Sequence, residues 1–325
     1  MRRRPRPGIA RPALNLSVSA VALVALVACA PTAGDPATPT PSPTVEARAD
    51  IEGLVDIGGD RELFATCRGE GSPSVVLVSG TGGAADEWMV TLSPDDPSAP
   101  PAVSAASVFD QLSQVTRVCA YDRPGTTDAA GAVSPSTLVP QPTSAFDGVA
   151  DLEALLDAMR ETGPYVVVGA SWGGLIAQLF ARTHTDEVSG VVLVDSASMF
   201  LHEYFTPEQW ASWMAVIAAA ETGHGAERPD YEATRERWLT EPPPLVPTVV
   251  LSSDREWDLS VTPGVSTWPA WLEAQAALAA SLGAHHIGDT GSGHGIHVEQ
   301  PQLVVDAIES VVDEVRARQR AAPTG

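Results

Sequence analysis

The sequence contains no lysine, and its positive charge comes from 19 arginines against 41 aspartates and glutamates, which gives a net charge of −22. Proteins that bind nucleic acid or anionic lipid surfaces do so through clustered basic side chains. The charge balance therefore excludes nucleic acid as a partner and argues against a basic lipid-binding surface. Hydrophobic residues make up 44% of the 325 positions, which is enough for a substantial buried core.

Motifs that hold cofactors or metals are also missing. The sequence has no H-E-x-x-H zinc motif, no G-x-x-x-x-G-K-[ST] phosphate loop and no G-x-G-x-x-G dinucleotide motif that opens a helix. A zinc site built from His285, His286, His294 and His297 lacks the glutamate or the cysteine pair that usually accompanies such ligands. The sequence therefore predicts a protein that uses neither a metal nor an organic cofactor.

The first fifty residues resemble an export and anchoring signal. Basic residues 2–11 precede the apolar stretch Ala13–Ala28, which is shorter than the roughly 20 residues of a spanning helix but suits a signal sequence. Because small residues precede Cys29, as in a bacterial lipobox, residues 1–29 are predicted to be a lipoprotein signal peptide with Cys29 lipidated. A cleaved secretory signal and an uncleaved anchor are the alternatives. Residues 30–50, rich in proline and threonine, predict a disordered linker to an exported domain held at the membrane.

Two cysteines remain after the predicted lipidation site. Cys67 ends a strand-like segment, and Cys119 lies inside another. An even number of cysteines in an oxidising compartment favours a disulfide, which is possible if the two strands are neighbours. Two buried free thiols are the alternative.

Short apolar runs alternate with helical patterns over residues 51–325. Continuous apolar runs are typical of strands that are buried on both faces, and apolar residues at helical spacing follow in 146–159 and 301–318. This alternation predicts an α/β fold with helices flanking a mostly parallel sheet. The predicted strands include Val75–Val78, Val118–Tyr121, Tyr165–Val168, Val191–Val194 and Val249–Leu251.

One segment, residues 199–245, interrupts the alternation. It is rich in aromatic residues and has no strand-like run. We call it the helical insertion, because this composition predicts a mainly helical segment of the domain. Since it follows a strand end, we expect either simple packing or a small lid over a binding site.

The strongest catalytic motif is Gly169–Gly173, with the sequence GASWG. A G-x-S-x-G motif between a strand and a helix is typical of a nucleophile elbow, whose tight turn requires glycine on both sides of the serine. Ser171 is therefore the predicted nucleophile.

A serine nucleophile needs a base, because its hydroxyl is barely ionised at neutral pH. His294 is the predicted base, since it lies in a glycine-rich loop between the last strand and the terminal helix. His297 is its rival, although its place near a helix start favours a capping or packing role.

A carboxylate should orient the base, and it should follow a strand that lies between the serine and the histidine in sequence. Asp254 is the first candidate because it is nearest the end of the strand 248–251. The alternatives are Glu256, Asp258 and, at the end of an earlier strand, Asp195.

The transition state also needs donors for its negative charge. The segment Ser79–Gly83, which we call the oxyanion loop, follows a predicted strand and contains glycines that let its backbone approach a ligand. The N–H groups of Thr81 and of Trp172, next to the nucleophile, are the predicted oxyanion hole.

Together these motifs resemble the α/β-hydrolase superfamily over about residues 51–318. The resemblance implies an eight-stranded sheet whose second strand is antiparallel and lies beside the fourth, where Cys67 and Cys119 fall. It also implies the chain order serine, acid, histidine. The sequence departs from the family pattern at Ser79, where many members have histidine, and the common family spacing places the acid at Glu256.

The resemblance implies two-step acyl transfer on a small-molecule substrate without a cofactor. Ester hydrolysis is our first interpretation, because position 171 is serine and not the aspartate of haloalkane and epoxide hydrolases. The Gly-x-Ser-Trp-Gly motif is similar to proline-iminopeptidase-like members, so amide hydrolysis is the alternative, with Glu203 or Glu208 holding a substrate amine. A surface lipoprotein that binds a ligand without catalysis is the third hypothesis.

Overall fold

The computed structural model describes residues 48–321 except positions 94, 97, 220–224 and 239. The predicted signal peptide, the lipidation site Cys29 and all but the last residues of the predicted linker lie outside the described residues. None of the helices in the described part is long and apolar enough to cross a membrane.

Within the described residues, eight strands form one mixed sheet with the order β1-β2-β6-β3-β7-β8-β9-β10. Its strands are β1 (Ile51–Gly58), β2 (Arg61–Arg68), β3 (Ser74–Val78), β6 (Val118–Tyr121), β7 (Tyr165–Ala170), β8 (Val188–Val194), β9 (Thr248–Leu251) and β10 (His285–Ile287). A short antiparallel pair, β4 (Val90–Thr91) and β5 (Ala102–Val103), lies outside this sheet.

The burial pattern of each strand reflects its position in the sheet. The strands β3 and β6 to β10 run parallel, and β2 is antiparallel to both of its neighbours, β1 and β6. Every residue of β3 is buried, because a parallel central strand is covered on both faces. The edge strand β1 instead alternates between half-buried and exposed residues. The predicted mostly parallel sheet is confirmed. The second strand, β2, is antiparallel and lies beside β6, which is the fourth strand of this sheet in chain order, as predicted.

Helices cover both faces of the sheet. They are a 3₁₀ helix (Ala85–Met89), α1 (Val108–Leu112), α2 (Ala145–Met159), α3 (Ser171–Thr183), α4 (Phe200–Tyr204), α5 (Pro207–Ala219), α6 (Tyr231–Trp238), α7 (Trp268–Leu282), α8 (Ile296–Glu299) and α9 (Pro301–Ala321). One apolar cluster joins the sheet to α2, α3 and α7, and a second joins it to α1 and α9. The helices α4, α5 and α6 lie in the helical insertion, between β8 and β9.

The two cysteines of the domain occupy directly opposite positions on neighbouring strands. Cys67 on β2 pairs in register with Cys119 on β6, and their side chains form a disulfide. The predicted disulfide is confirmed, and the alternative of two free thiols is wrong.

Candidate active site

Ser171 lies at the junction of β7 and α3, on a turn that is too tight for ordinary side chains nearby. Its φ of +48° falls in the left-handed region, which a residue other than glycine rarely adopts. A Cβ atom at Gly169 would lie 2.4 Å from the carbonyl oxygen of Gly173, and one at Gly173 would lie 2.2 Å from that of Ser79. Both flanking positions therefore require glycine.

This crowding gives a testable consequence at Gly173. We expect Gly173→Ala to lower the free energy of unfolding by about 1–3 kcal/mol, as in other overpacked sites, and to lower kcat more than tenfold, because the added methyl group pushes β3 away from the elbow. Thermal unfolding measures the first effect, and hydrolysis of an acyl substrate, the activity expected from the sequence, measures the second. Gly288→Ala is the control, since the nearest atom to its added Cβ is 4.0 Å away. Unchanged stability and activity in Gly173→Ala would contradict the geometry.

Ser171 opens onto a cavity of about 350 Å³. His294, Gly80 and Thr81 line the same cavity, so the structure brings together residues from three separate segments of the chain. The rest of the wall is mostly apolar and aromatic, and includes Trp213, Ile217, Tyr231, Trp257, Leu259 and Trp271. A small apolar cavity with a few convergent polar groups is the usual form of a small-molecule site.

The imidazole of His294 is held between a carboxylate and two indole rings. Its Nδ1 lies 2.7 Å from Oδ2 of Asp195. The ring of Trp257 packs against the imidazole with centroids 4.1 Å apart, and Trp271 meets it edge-on at 5.5 Å. These contacts fix the ring orientation, so that Nε2 is the nitrogen left for proton transfer.

Asp195 follows the last residue of β8 and is fully buried. Its φ of +40° is also in the left-handed region. Oδ1 accepts hydrogen bonds from the backbone N–H of Ser253 at 3.0 Å and from the indole of Trp271 at 3.1 Å. Since one oxygen is held by these two donors, the other is directed at the imidazole.

This geometry places Asp195, and not the first-choice Asp254, beside the imidazole. Asp254 does not contact the imidazole: its Oδ1 accepts the backbone N–H of Ser292 at 2.9 Å and so fastens the loop that carries His294. Glu256 and Asp258 are engaged by Ser266 and Thr267, respectively. The physical reason is topological. β8 lies directly beside β7, which ends just before the predicted nucleophile Ser171, whereas β9 is one strand further away.

In the oxyanion loop, the N–H groups on either side of Thr81 are bound by carboxylates. Gly80 donates its N–H to Oε2 of Glu87 at 3.0 Å, and Gly82 donates to Oε2 of Glu227 at 2.7 Å. Between them, the N–H of Thr81 has no acceptor among the described residues. The N–H of Trp172 lies in the first turn of α3, where a helix offers no acceptor of its own. Both predicted donors are thus free to bind a ligand oxygen.

A second pair of imidazole and carboxylate lines the cavity, and sequence analysis did not predict its acidic member. Nε2 of His297 lies 3.2 Å from Oε1 of Glu87, and the buried imidazole packs on Trp88. Burial opposes ionisation of Glu87, but His297, the N–H of Gly80 and the charge of Arg123 outweigh it and hold the pKa of this carboxyl below its usual value. His297 is thus paired with Glu87 and not with the acid of the His294 pair. The other two histidines of the weighed zinc site, His285 and His286, lie on β10 and do not line the cavity.

Comparison with known proteins agrees with this architecture. The model of the "Alpha/beta hydrolase family" matches residues 75–307. The chain belongs to this family. Solved structures with the same fold include an esterase from Thermogutta terrifontis (TM-score 0.53, 20% identity, 82% of this chain and 99% of that chain) and the carboxylesterase CesB from Bacillus subtilis (TM-score 0.55, 15% identity, 81% and 91%).

Curated proteins match this chain over shorter segments. The pimeloyl-[acyl-carrier protein] methyl ester esterase of Chromobacterium violaceum is 35% identical over 136 residues, which is 41% of this chain and 46% of that protein. The proline iminopeptidase of Neisseria gonorrhoeae is 34% identical over 84 residues, which is 22% of this chain and 27% of that protein. The curated relatives that the chain matches are thus covered over less than half of their length, from 15% to 46%.

Proposed function

We propose that this alpha/beta hydrolase cleaves carboxylic esters of small molecules through an acyl-enzyme on Ser171. One observation carries the proposal: the cavity into which Ser171 opens also contains His294, whose Nδ1 is held 2.7 Å from the buried carboxylate of Asp195. A serine, an imidazole and an orienting carboxylate are the groups that this chemistry needs. The pairing of Asp195 with His294 makes Asp195 our choice for the acid.

In the first step, Oγ of Ser171 attacks the ester carbonyl carbon while Nε2 of His294 takes the hydroxyl proton. The carbonyl oxygen becomes an oxyanion and accepts hydrogen bonds from the N–H groups of Thr81 and Trp172. Asp195 stabilises the positive charge that develops on the imidazole. The imidazolium then gives its proton to the alcohol oxygen, the bond from that oxygen to the carbonyl carbon breaks, and the alcohol leaves.

In the second step, water replaces the alcohol. His294 takes a proton from the water as its oxygen attacks the acyl carbon, and the same two N–H groups hold the oxyanion. The bond to Ser171 then breaks, and His294 returns the proton to Oγ. The products are a carboxylic acid, an alcohol and the original enzyme, and Ser171 and His294 account for every proton that moves.

Hydrolysis of a peptide-like amide is the second candidate function. It is favoured by the proline iminopeptidases among the relatives and by Glu87, a carboxylate in the cavity wall that offers a partner for a substrate amine. The glutamates first considered for that role, Glu203 and Glu208, are exposed and do not line the cavity.

Paired substrates separate these functions. We expect the full chain to hydrolyse aryl esters of short acids and to leave N-terminal amino-acid anilides intact, with the release of aryl alcohol or aniline as the measurement. Turnover of the anilides at a similar kcat/KM would favour the amidase instead. Turnover of neither substrate, with no reaction towards a fluorophosphonate probe, would favour a protein that only binds its ligand.

The setting of the activity is also a proposal. From the sequence of residues 1–50 we infer that the enzyme is exported and anchored at the cell surface through a lipid on Cys29. Its substrate would then be a molecule encountered outside the cytoplasm.

A further inference from the structure

The oxyanion loop begins with Ser79, where many family members have histidine. The Ser79 side chain forms its hydrogen bond within the same turn. Oγ of Ser79 donates to the carbonyl oxygen of Ala84, five residues further along the same segment. This hydrogen bond closes the turn on itself but does not attach it to the rest of the domain. The attachment must come from other residues, and the structure contains a pair that sequence analysis did not single out.

Arg123 holds the loop from one side. It follows β6, and its guanidinium donates to the carbonyl oxygens of Ser79 at 3.0 Å and of Gly80 at 2.6 Å. Its side chain is only 3% exposed, so water does not compete for these bonds. A planar guanidinium can reach both carbonyls at once, and this fixes the direction of the peptide that precedes Thr81.

Glu227 holds the loop from the other side. It belongs to the helical insertion, and its buried carboxylate accepts from Nε of Arg123 at 2.6 Å and from Nη2 of Arg123 at 2.9 Å. The same carboxylate accepts the N–H of Gly82 at 2.7 Å. The carbonyl before Thr81 and the N–H after it are therefore both bound to one ion pair, and the free N–H of Thr81 lies between them.

The backbone of the insertion is pressed against the segment that carries Arg123. The N–H of Glu227 donates to the carbonyl oxygen of Gly125 at 3.0 Å. A Cβ atom at Gly125, whose φ is +83°, would lie 2.3 Å from the carbonyl oxygen of Gly225. Glu227 therefore contacts the oxyanion loop only while residues 225–227 of the helical insertion pack against Gly125.

Arg123 keeps its positive charge although it is buried. Burial works against the positive charge of Arg123, but the carboxylate of Glu227 outweighs it and holds the pKa of the guanidinium above its usual value. Removing one member would leave the other charge buried and unpaired, which is strongly unfavourable. The loop would then move to find other partners.

We propose that Arg123 and Glu227 are positioning residues for the oxyanion hole, and that Glu227 makes the helical insertion part of the catalytic apparatus. The inference rests on the proposed function, because it assigns to Thr81 a role in binding the oxyanion. Neither side chain is among the residues that line the cavity. Their effect is therefore on the transition state and not on substrate binding, so it falls on kcat and leaves KM unchanged.

Glu227→Gln in the full chain tests the pair. The glutamine keeps an oxygen for the N–H of Gly82 but turns an N–H group towards Arg123 and removes the charge. Since loss of one oxyanion donor lowers kcat by roughly 10²–10³-fold, we expect displacement of the loop to lower kcat per active site by roughly 10–100-fold. KM for an aryl ester should stay within threefold. The inhibition constant of a trifluoromethyl ketone, which forms an oxyanion on Ser171, should rise by the same factor as kcat falls.

The chain offers a matched control at the other end of the same strand. Arg117 precedes β6 and pairs with Glu161, with side chains 1% and 2% exposed. Glu161→Gln therefore removes an equally buried charge away from the oxyanion loop. We expect a comparable loss of thermal stability in this variant, with kcat and the ketone inhibition constant unchanged.

Arg123→Lys is the second variant, since lysine keeps the charge but cannot bind both carbonyls and the carboxylate as a fork. We expect a fall in kcat at constant KM here too. Unchanged kcat in both Glu227→Gln and Arg123→Lys, or an equal fall in Glu161→Gln, would overturn the inference. If Ser171→Ala were as active as the natural chain, the proposed function itself would fail, whatever the two positioning variants did.

Discussion

Replacing Asp195 with asparagine is expected to lower kcat for ester hydrolysis by roughly 10³–10⁴-fold, the scale seen when a triad aspartate is made neutral. Asparagine fits the same space, and its amide oxygen can still accept from Ser253 and Trp271. Its amide nitrogen then faces Nδ1 of His294, which favours the wrong tautomer of the imidazole and no longer stabilises its charged form. Initial rates with a soluble aryl ester measure the effect.

Asp254→Asn is the control, and it addresses the residue that the sequence favoured as the acid. Asp254 accepts one hydrogen bond from the backbone of Ser292, and asparagine can accept the same bond. We therefore expect kcat within threefold of that of the natural chain. A loss in Asp254→Asn as large as that expected for Asp195→Asn, with Asp195→Asn fully active, would reverse the assignment.

Ser171→Ala is expected to have the largest effect of all. Removal of a serine nucleophile lowers kcat by roughly 10⁶-fold in enzymes of this mechanism, because no other group forms the acyl-enzyme. The free energy of unfolding should not fall, since alanine removes only a hydroxyl group that opens onto the cavity. Ester turnover and thermal unfolding of the full chain measure the two quantities.

The matched control for that variant is Ser310→Ala on α9. Its exposed hydroxyl donates only to the carbonyl of Ala307 within the same helix. Full activity is expected there. Ester turnover in Ser171→Ala above a hundredth of the natural rate would mean that another residue is the nucleophile.

Much of the fold could be predicted because it depends on local patterns. Central strands such as β3 and β7 are buried on both faces, so their sequences are continuous apolar runs that stand out from the amphipathic helices between them. The elbow could also be predicted, because the crowding that requires Gly169 and Gly173 acts within a few residues of Ser171. The disulfide followed from two cysteines that lie on strand-like segments.

The acid could not be chosen from the sequence, because the choice depends on contacts between distant residues. Asp195 and His294 are 99 positions apart. Three carboxylates follow β9 within five residues, so the sequence favours that segment over the single Asp195 that follows β8. The deciding facts are three-dimensional: the place of β8 beside the nucleophile strand, and the donors Ser253 and Trp271 that hold Asp195 towards the imidazole.

The ion pair at the oxyanion loop was even harder to predict from the sequence than the acid. Arg123 and Glu227 are separated by 104 positions, and Glu227 lies in a segment whose sequence predicts helices that either pack on the domain or form a small lid. No motif connects a glutamate in the helical insertion with the backbone of Gly82. The departure from the family pattern at Ser79 was visible in the sequence, but the residues that compensate for it became apparent only from their contacts.

Covalent labelling of Ser171 tests the central claim most directly. A fluorophosphonate probe reacts with an activated serine, which displaces fluoride and forms a bond to phosphorus. We predict one adduct per full chain, located by mass spectrometry on the peptide that contains Ser171, absent in Ser171→Ala and formed at least a hundredfold more slowly in Asp195→Asn. An adduct on a different residue, or no labelling of the folded natural chain, would contradict the account.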